Sequence, residues 1–212
     1  SLLSDSINFK TDGVDLFGGA NFTGFNKAQR NFSNQVSLEV QERFQNGEME
    51  NLEHSKTEVL EIKKLYDSLG AKNNLYINFD ANESFFRKLS GEKNDVIHVA
   101  THGFSEGLSY SVNSTFNLNN NAMSELMRSG IILSPNSSIE GLNDKNDGLI
   151  TAMDLSQLDF SNYNLAIFSS CESGLGNLYG NQGVYGIIRG LKLAGVKSMI
   201  LSLWQVPDKQ TS

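Results

Sequence analysis

Two residues that could together catalyse acyl transfer, His102 and Cys171, each follow a short apolar run. His102 comes after the segment 96–101, and Cys171, the only cysteine in the chain, comes after the segment 165–170. Runs of this length that are rich in Val and Ile are typical of strands buried on both faces. Residues at the carboxyl ends of neighbouring parallel strands meet in one crevice. The pattern therefore predicts a cysteine nucleophile with a histidine as its acid/base partner.

Each of these residues also has a structural interpretation when it is taken alone. A free cysteine packs as a small hydrophobic residue, and a histidine can simply be the polar end of a strand. His98, four residues before His102, has apolar neighbours on both sides, and we interpret it as a core histidine with a structural hydrogen bond. The one cysteine and three histidines lack the spacing of a zinc site, so we predict no metal and no cofactor.

The elements that must position the two candidates alternate between helices and strands. Ser55 and Glu58 have the spacing of a capping box, which predicts a helix with Ser55 as its N-cap and Gly70 directly after its end. Asn82 and Thr151 are the predicted caps of two short helices. A helix is also predicted over 184–193, and strands over 14–20, 75–79, 96–101, 129–133, 165–170 and 197–204. This order predicts a mainly parallel α/β sheet with helices on both faces, in which the strands before the two candidates are adjacent or nearly adjacent.

The composition narrows the class of protein. The 212 residues are 39% hydrophobic and carry a formal net charge of −7, which suits one globular domain over residues 1–212. There is no basic cluster to bind nucleic acid, and no apolar run approaches the roughly 20 residues that span a membrane. A lone cysteine is typical of a reducing compartment, so we expect a cytoplasmic location. Because the chain starts without Met and stops just after a strand-like run, we expect it to be part of a longer protein, truncated at both ends.

Several stretches together resemble the CHAT family, the caspase-like domain that often lies beside tetratricopeptide repeats in bacteria. The matching stretches are 98–103, 169–176, 183–186, 193–198 and 202–208, and weaker similarity covers the helix at Glu58 and residues 147–152. They span roughly residues 55–208 in the order of the family, which is more specific than any single motif.

The resemblance implies a caspase-like fold and a cysteine endopeptidase, similar to caspases, separases and clostripain-like proteases. By position, His102 and Cys171 correspond to the catalytic dyad, which acts through a thioacyl-enzyme. The backbone N–H groups of Gly103 and Cys171 correspond to the oxyanion hole. The resemblance also implies a protein or peptide substrate and control by a tetratricopeptide-repeat or other regulatory region. A catalytically silent scaffolding or interaction module is the alternative, since a fold does not determine a function.

The residues that would recognise the substrate are less clearly marked. Relatives that cut after Lys or Arg often carry an acid two residues before the nucleophile, and Ser169 has that position here. A basic specificity is therefore not supported at that position, although Asp154, Glu172 or Asp208 could supply the charge. Trp204 lies where caspase-like folds line their substrate pockets, so it is either a pocket wall or a core aromatic residue at a strand end.

Overall fold

We describe the fold from a computed structural model of the chain, for residues 11–23, 51–105, 126–127, 129–135, 147–171 and 181–202. In these ranges the strands are β1 (Val14–Ala20), β2 (Asn73–Asn78), β3 (Val96–Ser105), β4 (Ser129–Ile132), β5 (Leu149–Thr151), β6 (Leu165–Cys171) and β7 (Ser198–Leu201). The helices are α1 (Glu53–Ser68), α2 (Glu83–Lys88), α3 (Ala152–Ser156) and α4 (Asn181–Leu193). Among these elements, no helix is long and apolar enough to cross a membrane.

The strands form one mixed sheet that is mostly parallel. Its parallel part has the order β2-β1-β3-β6-β7, so the strands that end near His102 and at Cys171 are neighbours, as predicted. The strand β4 pairs antiparallel with the carboxyl end of β3, and β5 pairs antiparallel with β4. The predicted α/β fold is confirmed, with the addition of this antiparallel pair beside the end of β3.

Helices pack on both faces of the sheet. One face contributes Phe17 to a large core that also contains Phe86 of α2, Leu155 of α3 and Leu191 of α4. The opposite face contributes a smaller cluster that Val59 of α1 covers; its sheet members are Val14, Leu16 and Ala100. Successive residues of a strand point to opposite faces, which is why neighbouring positions of β1 enter different clusters.

Helix α1 begins three residues before the start that the capping-box pattern predicts, because its N-cap is Leu52 and not Ser55. Its first residue is Glu53, and the preceding Leu52 makes no side-chain cap. The hydroxyl of Ser55 instead donates to the carbonyl oxygen of Leu52 at 2.7 Å and accepts a hydrogen bond from the N–H of Gly19 at 2.9 Å. Glu58 points toward the sheet. The predicted capping box is therefore wrong, because both of its residues have partners elsewhere in the fold.

Gly18 of β1 allows α1 to lie close against the sheet. A Cβ atom at this position would lie 2.6 Å from the carbonyl oxygen of Ser55 and 2.8 Å from the methyl groups of Val59. Real Cβ atoms do not approach other atoms this closely, so a residue with a side chain would push the helix outward. The absence of a side chain at Gly18 thus brings the inner face of α1 within reach of the central strands.

Two other predicted caps are confirmed. The side chain of Asn82 accepts a hydrogen bond from the N–H of Phe85 at 3.0 Å and starts α2. Thr151 and Asp154 form a reciprocal capping box at the start of α3. The three-residue strand β5, which ends at Thr151, was not predicted.

A buried polar network lies at the end of the sheet where its parallel strands begin. The carboxylate of Asp15 accepts hydrogen bonds from Asn74 Nδ2 at 2.7 Å, Asn94 Nδ2 at 2.6 Å and Tyr163 Oη at 2.7 Å. Burial, followed by the hydrogen bond to Asp15, raises the pKa of Tyr163 well above its ordinary value. The network joins β1 and β2 to the segments that lead into β3 and β6.

Candidate active site

His102 and Cys171 are partners across two adjacent parallel strands. In the described part of the chain, the register of β3 and β6 runs from Val96 and Leu165 to His102 and Cys171. The pair therefore lies in the carboxyl-terminal part of the shared ladder, toward the crevice of an open α/β sheet. The side chain of Cys171 lies outside the described part of the structure, so a sulfur-to-imidazole distance of about 3 to 7 Å stays a prediction.

The imidazole of His102 is held in a largely buried position. Only 4% of the residue is exposed, and its ring centroid lies 4.9 Å from that of Phe22, which follows β1. On the edge of β3 away from Cys171, His102 pairs with Ile132 of β4. The hydroxyl of the preceding Thr101 donates to the carbonyl oxygen of Ile132. The backbone that carries His102 is thus supported from both sides.

Gly103, the predicted oxyanion donor, directly follows the proposed acid/base on β3. It pairs with Ile131 of β4 on one edge of β3, and the preceding His102 pairs with Cys171 on the other edge. Position 103 therefore lies next to the proposed dyad. A backbone N–H at such a position is well placed to bind a developing oxyanion, and this role stays a prediction.

His98 is a core histidine with a structural hydrogen bond, as predicted. Its Nε2 atom lies 2.7 Å from Oε1 of Glu58 on α1. The side chains of His98 and Glu58 are 7% and 13% exposed. The Nδ1 atom of His98 is buried and has no hydrogen-bond partner within the described ranges. Glu58 is therefore the polar contact that orients this imidazole.

Ser169, two residues before Cys171, contacts the same carboxylate. Its hydroxyl lies 3.3 Å from Oε2 of Glu58. Glu58 thus bridges β3, through His98, and β6, through Ser169. The sequence analysis did not identify this bridge. Glu58 is 40 residues from His98 along the chain, and it was interpreted as a capping residue.

Asp154 is held by contacts within the fold. Its Oδ1 atom accepts a hydrogen bond from Arg87 Nη2 at 2.8 Å, and its Oδ2 atom accepts one from the N–H of Thr151 at 3.0 Å. Both carboxylate oxygens therefore have partners already. The other three predicted substrate-binding residues, Glu172, Trp204 and Asp208, lie outside the described residues. In the described part of the chain, no group of three or more His, Cys, Asp or Glu residues could hold a metal ion.

Arg87 joins Asp154 to a second, more deeply buried carboxyl group. Its Nε atom lies 2.7 Å from Oε1 of Glu83, and the N–H of Gly148 lies 3.4 Å from Oε2. Burial raises the pKa of Glu83 to about 7, although the hydrogen bond from Arg87 acts in the opposite direction. Burial also raises the pKa of the nearby Asp147 to about 6.

Substitution of Glu83 by glutamine is expected to make the free energy of unfolding less dependent on pH. Since the pKa of Glu83 rises from 4.5 to about 7 on folding, the folded state binds more protons than the unfolded state in this interval. The stabilisation is complete below pH 4.5 and is lost as the pH rises through 7. Between pH 5 and 7 the wild type should therefore lose about 2 kcal/mol relative to Glu83→Gln in urea unfolding. The exposed Glu61→Gln is the control, and equal pH slopes for wild type and Glu83→Gln would contradict the expectation.

Comparison with known families gives one match. The model of the CHAT domain family matches residues 15–212, a range that begins at the second residue of β1. It includes His98, His102, Ser169 and Cys171, and it confirms the family resemblance derived from the motifs. This family is caspase-like and related to proteases. Among curated proteins, no sequence matches this chain significantly.

Proposed function

Because the chain belongs to the CHAT domain family, we propose that it is a cysteine endopeptidase with Cys171 as the nucleophile and His102 as the acid/base. The observation that supports this most strongly is the pairing of His102 with Cys171 at the end of the β3–β6 ladder. Paired positions of neighbouring strands lie on the same face of a sheet, with backbones about 4.8 Å apart. An imidazole and a thiol can meet across that spacing.

The proposed reaction has two acyl transfers. The thiolate of Cys171 attacks the scissile carbonyl carbon, and His102 donates a proton to the leaving amine as the C–N bond breaks. This produces a thioacyl-enzyme and releases the first product. His102 then takes a proton from water, the resulting hydroxide displaces the sulfur, and the acid product leaves. The N–H groups of Gly103 and Cys171 stabilise the negative oxygen in both steps.

The proposal includes a protein or peptide substrate and control by a tetratricopeptide-repeat or other regulatory region of the full-length protein. Its support is the family context, which is protease-related. The proposal does not specify which residue type the enzyme prefers just before the cleaved bond. In relatives that prefer Lys or Arg, an acid often occupies the position of Ser169, whose side chain is small and neutral.

The proposed function can be tested by covalent labelling of Cys171. A free thiol titrates near pH 8.5, so only a few per cent is thiolate at pH 7, and a neighbouring imidazolium raises that fraction. We expect peptides that carry a chloromethyl ketone to label Cys171 of the full-length protein at pH 7. Labelling should be about 10-fold slower in His102→Ala, as measured by mass spectrometry of the modified peptide.

The matched control is His54→Ala, in the first turn of α1, which should label at the rate of the wild type. Equal labelling of the wild type and both variants would mean that Cys171 is an ordinary exposed thiol. The endopeptidase proposal would then be withdrawn in favour of a scaffolding module.

A further inference from the structure

The carboxylate of Glu58 connects the two strands that carry the proposed dyad. Its Oε1 atom lies 2.7 Å from Nε2 of His98 on β3, and its Oε2 atom lies 3.3 Å from the hydroxyl of Ser169 on β6. His98 is four residues before His102, and Ser169 is two residues before Cys171. One side chain from a helix therefore spans the pair of strands beneath the proposed dyad.

The register shows how close this connection is to the reacting positions. Ser169 pairs with Ala100, which lies midway between His98 and His102 on β3. Alternate residues of a strand share a face, so the even-numbered positions 98, 100 and 102 lie on the face that α1 covers. Two residues of a strand span about 6.6 Å. On this face of the sheet, Ser169 is therefore the residue of β6 next to Cys171, on its amino-terminal side.

Hydrophobic packing alone does not explain a carboxylate at this position. Glu58 is 13% exposed, and a buried carboxylate is unfavourable unless it is hydrogen-bonded. Apolar residues of similar volume often stabilise a core at least as well as a buried polar pair. The carboxylate nevertheless provides something that apolar residues cannot, because its two oxygens have fixed spacing and bind one directional partner on each strand.

We propose that Glu58 is a positioning residue, which holds the carboxyl ends of β3 and β6 so that His102 and Cys171 stay at reaction distance. This inference rests on the proposed endopeptidase function. Glu58 touches neither a substrate nor a reacting atom and acts through His98 and Ser169. A displacement of about 1 Å between reacting groups can lower a rate by about 100-fold, so a small loss of alignment between the strands is measurable at Cys171.

The test is the rate at which iodoacetamide alkylates Cys171 in the full chain, measured by mass spectrometry of the peptide that contains it. At pH 7, Glu58→Ala should be about 5 to 10-fold slower than the wild type, because the thiolate loses its aligned imidazolium. Glu58→Gln should stay within about 2-fold, since its amide oxygen accepts from His98 and its amide nitrogen donates to Ser169. At pH 10 the thiolate forms without help, so all rates should converge.

Controls separate positioning from stability. Glu61→Ala, an exposed residue on the same helix, should react like the wild type. Should Glu58→Ala fail to fold, Ser169→Ala, which removes only the β6 contact, is expected to be about 3-fold slower at pH 7. A wild-type rate in the folded Glu58→Ala or Ser169→Ala variant, or a loss in Glu58→Ala that persists at pH 10, would overturn the positioning role.

The same experiment distinguishes failure of this inference from failure of the proposed function. If His102→Ala slows alkylation at pH 7 and Glu58→Ala does not, the dyad stands and the positioning role is wrong. If neither variant slows it, Cys171 has no imidazole partner and both proposals are wrong.

Discussion

Replacement of Cys171 by alanine is expected to lower the rate of peptide-bond cleavage by a factor on the order of 10⁴ or more. Without the thiol no thioacyl-enzyme can form, and only the residual rate that the proposed oxyanion donors and substrate binding support is left. His102→Ala should cause a loss of similar size, because a nucleophile and its base act as one unit. The measurement is mass spectrometry of a peptide library incubated with each full-length variant.

The double variant gives the sharper result. If His102 and Cys171 act together, the loss in His102→Ala/Cys171→Ala should equal the loss in Cys171→Ala alone rather than the product of two losses. Cleavage that survives Cys171→Ala would assign the activity to another group. Absence of cleavage by the wild type, together with absence of labelling at Cys171, would favour a scaffolding module.

Replacement of Asp15 by alanine is expected to lower the free energy of unfolding by about 3 to 5 kcal/mol. Asp15 is fully buried and accepts hydrogen bonds from Asn74, Asn94 and Tyr163. Its removal leaves three donors without their acceptor, and two of these donors belong to the buried residues Asn94 and Tyr163. Each unsatisfied buried donor is unfavourable by about 1 to 3 kcal/mol. Urea unfolding of the wild type and the variant measures the difference.

Two further variants serve as comparisons for Asp15→Ala: a conservative replacement of Asp15 and a replacement of an exposed carboxylate. Asp15→Asn keeps the shape and one acceptor oxygen, so its stability should lie between those of the wild type and Asp15→Ala. Asp67→Ala removes an exposed carboxylate that pairs with Lys63, and it should have a far smaller effect. A loss for Asp15→Ala no larger than that for Asp67→Ala would show that the network does not stabilise the fold.

The central strands could be predicted because their signal is local. The residues of β3 and β6 are mostly apolar up to His102 and Cys171, which is sufficient to identify buried strands. The end of β3 was predicted too early, because the strand continues to Ser105 through its pairing with β4. The chain order of helices and strands then predicted the parallel part of the sheet. The adjacency places His102 and Cys171 on neighbouring strands that run in the same direction, whereas their pairing in register is a finding of the structure.

The features that could not be predicted depend on contacts between distant residues. Ser55 and Glu58 have the spacing of a local motif, yet tertiary partners determine where both side chains point. The strand β5 is only three residues long and becomes a strand because β4 lies beside it. The partner of His98 could not be identified either, because the local sequence around a glutamate on a helix does not indicate which strand its side chain will contact.

The long strand β3 has a consequence for local unfolding and hydrogen exchange. From Val96 to Ala100 it is paired on one edge with β1 and on the other with β6, and at His102 it is paired with β4 and β6. Because β3 has a neighbour on each edge, its N–H groups face a partner strand whichever way they point, and a strand of this kind belongs to the most cooperative part of a fold. Cys171 is paired with His102 in the same ladder. Both proposed reactive positions are thus held in an element that should open only together with the centre of the sheet, and the amides of β3 should be among the slowest to exchange in the described part of the chain.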